Sequence, residues 1–311
     1  MRKYNKIISI ILLAVLMLSA VTVGSAESCN VVFGDADNSG AVNISDVTCI
    51  QQYAAGLVSP FEISFEAADV DEDKKITIND ATYIQLYLAS LPSPLDNKQP
   101  DNDTLYNQAV SDAVFADEDE VMPLVNITKD DENVIWNGDK VLVTFMHKFP
   151  LSYPAGDNIE LQWGNVWCVS AGEMYKWVKS SGDVKDWTVR LHQILGMPTT
   201  KNYTHITAMW VDSDLLYRPA NVTDPTAEMK TTYQKTGNDA FDKMYKAWFD
   251  SNIISSYFDG AYPWTRLGYT YDWANNGTEY GLSEFLIFNG ARADIEYTYT
   301  IDEFVAYAKA Q

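Results

Sequence analysis

The chain has 311 residues and a mass of 35.0 kDa, a length that favours two domains over one compact core. Its 43 acidic and 22 basic side chains give a net charge of −21. That balance excludes a nucleic-acid-binding groove and disfavours adsorption to an anionic membrane, because both need clustered Lys and Arg.

The first 26 residues have the three parts of a secretory signal peptide. Arg2, Lys3 and Lys6 form a basic start, an apolar run follows over residues 7–22, and small residues surround Ala26. The apolar run is short for a membrane span, which needs about 20 residues. The sequence therefore predicts a secreted, extracellular protein without a membrane anchor after cleavage of residues 1–26.

Residues 27–94 contain an internal repeat with a period of 34 residues, and they hold 11 acidic but only two basic side chains. The acidic segment 35–46 recurs as segment 69–80, and identical residues continue downstream, as at Thr48 and Thr82. A repeat of this quality indicates a duplicated supersecondary unit. The repeat predicts one small domain over residues 27–94.

Each acidic segment has the ligand spacing of a calcium loop, with oxygen-bearing groups at positions 1, 3, 5, 7, 9 and 12. Position 7 would contribute its carbonyl, and position 9 would bind through water. Position 6 needs a positive φ, which Gly40 adopts freely and which costs Lys74 about 1 kcal/mol. The sequence predicts two Ca²⁺ ions, with the ligands Asp35, Asp37, Ser39, Ala41, Asn43 and Asp46 in loop one and Asp69, Asp71, Asp73, Lys75, Thr77 and Asp80 in loop two.

A helix is predicted after each loop. Val47, Ile50, Ala54 and Leu57 are spaced to share one helical face, and Ala81, Ile84, Leu88 and Leu91 repeat the pattern. An EF-hand sensor would also need a helix before each loop and usually Glu at position 12. Position 12 is Asp in both loops, and too few residues precede loop one for an entering helix. The predicted fold of this segment is therefore a small all-α pair of loop–helix units.

The segment 31–94 resembles a dockerin, the duplicated loop–helix calcium module (an F-hand pair) of cellulosome-type assemblies. Ser39 and Lys74 depart from the usual loop residues. The resemblance implies calcium-dependent binding to a cohesin module of a scaffoldin, in a setting of plant polysaccharide breakdown. It also implies that either helix could contact the cohesin. The implied contact residues are Ile44, Ser45, Thr48, Ile78, Asn79 and Thr82.

Residues 95–120 are predicted to be an acidic linker. Pro, Asn and Asp are dense over residues 92–103, which favours an extended chain. A short helix over residues 104–115 is the one regular element expected there.

Residues 121–311 are long enough for an independent core and contain all nine Trp residues. Strand and helix patterns interleave irregularly, which predicts an α+β domain with a mostly antiparallel sheet. Strands are expected at 141–147, 159–163, 166–169, 205–211, 282–288 and 293–299, and helices around 187–195, 241–249 and 301–308.

The densest aromatic segment of this domain is 263–273, and it carries the charges Arg266 and Asp272, with Glu284 following. One interpretation is a structural ion pair between Arg266 and Asp272, because buried charges are normally paired. The other is a catalytic cluster, in which Asp272 and Glu284 supply the two carboxyl groups of glycoside hydrolysis, with Glu160 and Asp212 also available. The segment resembles a domain of uncharacterised secreted bacterial proteins, and that resemblance implies no activity.

Three roles for residues 121–311 stay open from the sequence. A polysaccharide-acting enzyme, such as a glycoside hydrolase, is favoured by the docking module. A carbohydrate-binding domain is favoured by the aromatic content, because sugar faces stack on exposed rings. A structural cargo domain is favoured by the lack of a catalytic motif in the sequence.

Overall fold

The computed structural model describes four stretches of the chain: residues 32–59, 62–98, 100–259 and 262–311. The chain divides into two compact units, Met1–Lys98 and Gln99–Gln311. The predicted signal peptide lies outside the described residues. Within those four stretches, no helix combines the length and the apolar character that crossing a membrane requires.

The described residues of the first unit form three α-helices: α1 (Ile44–Ala54), α2 (Phe65–Ala68) and α3 (Ile78–Leu88). Helices α1 and α3 begin alike, because each starts with a capping box immediately after an acidic segment. The boxes pair Asn43 with Asp46 and Thr77 with Asp80. Both helices predicted after the acidic loops are therefore confirmed.

Helices α1 and α3 pack against each other around the core of this unit. The buried core residues are Ala36, Val47, Ile50, Ile63, Ala68, Val70, Ala81, Ile84 and Leu95. The second half of each predicted apolar stripe is wrong, since Ala54, Leu57, Leu88 and Leu91 are exposed. Leu57 and Leu91 lie beyond the helix ends, where the chain has already turned away from the core.

The acidic linker predicted over residues 95–120 differs from the structure. Leu95 is fully buried in the core of the first unit. Helix α4 (Asn102–Asp112) belongs to the second unit, where Tyr106 packs edge-on against Trp273 with ring centroids 5.7 Å apart. The first residues of this segment therefore pack in the first unit, and its helix packs in the second.

The second unit contains a nine-stranded sheet in which every strand pairing is antiparallel. The main order is β3-β9-β5-β2-β4-β8-β6, with β1 beside β2 and β7 beside β8. The strands are β1 (Trp136–Asn137), β2 (Lys140–His147), β3 (Asn158–Glu160), β4 (Val166–Ser170), β5 (His205–Asp212), β6 (Leu216–Tyr217), β7 (Tyr269–Tyr271), β8 (Tyr280–Ile287) and β9 (Arg292–Thr300).

Four further helices cover this sheet: α5 (Ala171–Ser180), α6 (Trp187–Ile194), α7 (Asp239–Ile254) and α8 (Ile301–Ala310). Side chains alternate along the central strand β2. Leu142 and Met146 pack in the core cluster that includes α5, α6 and α8, whereas Val143 and Phe145 pack in the cluster on the other face. The predicted antiparallel sheet is confirmed, and both faces of its centre are buried.

Candidate functional site

The first acidic segment folds into a tight loop around its own carboxylates. Asp35 accepts hydrogen bonds from the backbone N–H groups of Ser39 (2.9 Å) and Gly40 (2.8 Å). Asp46, at the start of α1, accepts from the N–H groups of Asp37 (3.2 Å) and Asn43 (2.7 Å). Carboxylate oxygens of Asp35, Asp37 and Asp46 consequently lie within 4.8 Å of one another.

The second acidic segment repeats this construction. Asp69 accepts from the N–H of Lys74 (2.9 Å), and Asp80 accepts from the N–H groups of Val70 and Thr77, both at 2.8 Å. Oxygens of Asp69, Asp71 and Asp73 lie within 4.8 Å of one another. The duplication in sequence is therefore also a duplication in conformation.

Position 6 of each loop has a left-handed backbone, as the sequence predicts. Gly40 has φ +91° and Lys74 has φ +67°. Position 4 is also left-handed in both loops, with φ +57° at Asn38 and +60° at Glu72. The two loops thus share one backbone conformation although their residues differ at positions 4 and 6. The left-handed conformation is strained at Lys74 and unstrained at Gly40.

The donor chemistry of both loops fits a divalent cation that prefers oxygen. In loop two, Oδ1 of Asp69 is buried without a hydrogen-bond partner among the described residues, an arrangement that is costly unless another ligand satisfies the oxygen. In loop one, burial and the charges of Asp37 and Asp35 raise the pKa of Asp46 to about 6. A bound cation would relieve this repulsion.

The surface predicted to contact a partner is exposed on both helices. At the start of α1 and α3, Ile44 is 63 % exposed and Ile78 is 53 % exposed. All six side chains of the set point to solvent within this unit: Ile44, Ser45, Thr48, Ile78, Asn79 and Thr82. Each helix start therefore presents one large apolar side chain to solvent, at matching positions of the repeat.

In the second unit, the proposed ion pair between Arg266 and Asp272 is wrong. Asp272 binds the guanidinium of Arg190, on α6, with two hydrogen bonds of 2.8 and 2.6 Å. Arg266 instead donates to the carbonyl of Val114 at 2.5 Å. Asp272 is thus occupied by a bidentate pair that joins α6 to the segment after β7, which is a structural role.

The other carboxylates named from the sequence are dispersed. Glu160 and Asp212 are exposed at the ends of β3 and β5. Glu284, on β8, is half-buried and lines a cavity of about 520 Å³. Among the described residues lining that cavity, Glu284 is the only carboxylate. The arrangement therefore does not bring Asp272 and Glu284 together in this cavity.

The cavity opens where β2 ends and β4 begins, and sequence reasoning did not find it. Its wall includes His147 from β2, Trp163 and Trp167 from the β3–β4 region, and Tyr262 and Trp264 from the segment before β7. These residues span more than 100 positions of the chain, from 147 to 264, so no short sequence window contains them together. The one available signal was the placement of all nine Trp residues in this domain.

Comparisons with known proteins agree with the geometry of the first unit. The family model for the dockerin type I domain matches residues 33–89, which include both acidic loops and helices α1 and α3. No curated protein and no solved structure matched the chain. The matching loops, helices and exposed helix starts lead to one identification: residues 33–89 are a dockerin type I domain, the calcium-binding module that docks to cohesins in cellulosome-type assemblies.

Proposed function

We propose that this chain is a secreted cellulosome component, with residues 1–26 as its signal peptide, residues 27–94 as its docking domain and residues 121–311 as its cargo domain. The observation that carries the docking function is the pair of carboxylate clusters, one in each repeat. Each cluster would hold one Ca²⁺ ion. The proposed ligands are Asp35, Asp37, Ser39, Ala41, Asn43 and Asp46 for the first ion, and Asp69, Asp71, Asp73, Lys75, Thr77 and Asp80 for the second.

Calcium links folding to docking in this proposal. Without an ion, the clustered carboxylates repel one another, and the buried Oδ1 of Asp69 has no hydrogen-bond partner in the described part of the chain. An ion that binds the folded state alone stabilises it by RT ln(1 + [L]/Kd). The same ion fixes the beginnings of α1 and α3, because Asp46 and Asp80 are both capping residues of those helices and members of the acidic loops.

The docking face would be the exposed start of either helix. Ile44 and Ile78 would enter the cohesin surface, with Ser45, Thr48, Asn79 and Thr82 forming the polar rim. Because the two sets are nearly identical and both are exposed, the module could dock in either of two orientations. Removing one isoleucine should then have little effect on affinity, whereas removing both should abolish docking.

The experiment is calorimetry of the full chain against a panel of type I cohesin modules, in calcium and in excess EDTA. We expect at least one cohesin to bind in calcium alone. The double variant Asp35→Ala/Asp69→Ala should lose binding, and Glu66→Ala, an exposed acid outside both loops, should keep it. Equal affinity in EDTA and in calcium, or an unaffected double variant, would contradict the calcium-dependent docking.

For the cargo domain we propose a role on plant polysaccharide, supported by the docking module and by the aromatic cavity of the second unit. Binding is better supported than hydrolysis by the pair Asp272 and Glu284, because Asp272 is held by Arg190. Sugar release by the full chain across a panel of plant polysaccharides separates the two roles. If sugar release persists in Asp272→Asn and stops in Glu284→Gln, this unit is an enzyme with Glu284 as its acid. If no sugar is released and the chain is retained on a polysaccharide, this unit is a binding domain.

A further inference from the structure

The cavity of the second unit has the size of a small-ligand site. Its volume is about 520 Å³, within the roughly 300–1,000 Å³ that is usual for ligand pockets. Of the 24 described residues that line it, nine are Phe, Tyr or Trp. Two of them lie at its rim: Trp163 is 64 % exposed and Phe149 is 58 % exposed. Large rings left in water beside an open cavity mark a binding surface.

The described lining of the cavity has no cationic side chain. Among the described residues that line it, none is Lys or Arg. His147, its one imidazole, is neutral near pH 7, because burial and the nearby His205 lower its pKa to about 4. Both ring nitrogens of His147 are also occupied: Nδ1 accepts from the N–H of Phe149 at 3.0 Å, and Nε2 donates to Oγ1 of Thr207 at 2.7 Å. The ammonium groups of Lys148 and Lys201 lie behind two lining rings, 5.5 Å from the centroid of Phe149 and 5.9 Å from that of Tyr262, so an anionic ligand inside the cavity would find no countercharge among the described lining side chains.

Glu284 is the polar group of the cavity that the protein leaves unused. No hydrogen bond or ion pair to its carboxyl group is found among the described residues, and burial alone raises its pKa to about 8. Near pH 7 the group is therefore mostly protonated, with one O–H donor and a carbonyl acceptor available. Such a group can bond to a hydroxyl group, which both donates and accepts.

We propose that this cavity binds one or two neutral sugar rings of a polysaccharide, with Glu284 bonding to a sugar hydroxyl group and the ring of Trp163 stacking on a sugar face. The proposal rests on the polysaccharide role given above and deepens it by naming the class of sugar. Uronic acids are disfavoured, because their carboxylate would be desolvated among described lining residues that include no Lys or Arg. The site is thus selective for neutral chains such as β-glucans and xylans.

The experiment is calorimetry of the full chain with three oligosaccharides of equal length: cellohexaose, xylohexaose and hexagalacturonate. We expect one of the two neutral chains to bind and hexagalacturonate not to bind. Trp163→Ala should weaken binding about 3- to 10-fold by removing one stacked ring. Phe115→Ala is the matched control, since Phe115 is an exposed ring of the same unit that does not line the cavity, and it should change nothing.

Two Glu284 variants test the hydrogen bond. Glu284→Gln keeps a donor and an acceptor in nearly the same shape and should stay within about two-fold of the unmodified chain, whereas Glu284→Ala should lose about 3- to 10-fold. If a neutral oligosaccharide binds Trp163→Ala and Glu284→Ala as tightly as the unmodified chain, the cavity is not its binding site, and the polysaccharide role remains intact. Tighter binding of hexagalacturonate would overturn the selectivity, and no binding or sugar release with any polysaccharide would overturn both proposals.

Discussion

The ion pair between Arg190 and Asp272 should be a main stabilising contact of the second unit. The side chain of Asp272 is 1 % exposed and that of Arg190 is 18 % exposed. Asp272 also accepts from the N–H of Ala274 and from Nδ2 of Asn276, both at 3.1 Å. Asp272→Asn keeps the shape but removes the charge, and its amide N–H group would face the guanidinium donors.

The expected loss in the free energy of unfolding is about 3 kcal/mol, the lower end of the range for breaking a buried pair. The lower end applies because Arg190 keeps some water contact and lies against the ring of Trp177, 5.0 Å from its centroid. The matched control is Asp250→Asn, which breaks the exposed Lys246–Asp250 pair and should cost about 0.5 kcal/mol or less.

Urea unfolding followed by tryptophan fluorescence measures this change. All nine Trp residues lie in residues 121–311, so unfolding of the dockerin does not contribute to the signal. A loss below about 1 kcal/mol, or one equal to that of Asp250→Asn, would refute the structural role of Asp272. The double variant Arg190→Leu/Asp272→Asn should lose less than the sum of the single variants, because each single variant leaves an unpaired partner.

Two further predictions concern groups that the fold holds in unfavourable states. Burial raises the pKa of Glu284 from 4.5 to about 8, so the contribution of this group to stability is fully present below pH 4.5 and is lost as the pH rises through 8. Between pH 5 and pH 8.5, the free energy of unfolding of Glu284→Gln should therefore rise by up to about 4 kcal/mol relative to that of the unmodified chain. An equal difference in urea midpoint between the two proteins at both pH values would contradict this. Lys74→Gly should tighten calcium binding to loop two about two- to five-fold in a calcium titration, because Lys74 has φ +67°; Lys75→Gly, at a position without positive φ, should not tighten it.

The dockerin could be read from the sequence because its function depends on local spacing. The proposed ligands of each loop lie within 12 consecutive residues, and the capping residues Asp46 and Asp80 both end a loop and begin a helix. The sequence did not reveal where each helix stops contributing to the core. Leu57 and Leu91 continue the apolar period, and they are exposed because the helices have ended before them.

In the second unit, strands with clear alternation were found and one helix was missed. Helix α5 contains Gly172, which reads as a helix breaker. The structure gives the reason for glycine: a Cβ at that position would lie 2.4 Å from the carbonyl oxygen of Asn133. The partner of Asp272 was missed for a similar reason, because Arg190 is 82 residues away and only the packing of α6 brings it close.

The net negative charge of the chain and the uncharged lining of the cavity both disfavour anionic polysaccharides. After the proposed removal of residues 1–26, which hold three basic and no acidic side chains, the net charge of −21 becomes −24, and it repels an anionic polysaccharide at distances up to about 10 Å at moderate salt. Four further charges would be neutralised when two Ca²⁺ ions bind, but those ions belong to the dockerin loops and not to the cavity. A polyuronate would therefore be disfavoured on approach by the net negative charge of the chain and again on entry, because no Lys or Arg is among the described residues that line the cavity. A neutral glycan meets neither barrier, so raising the salt concentration should leave its affinity almost unchanged.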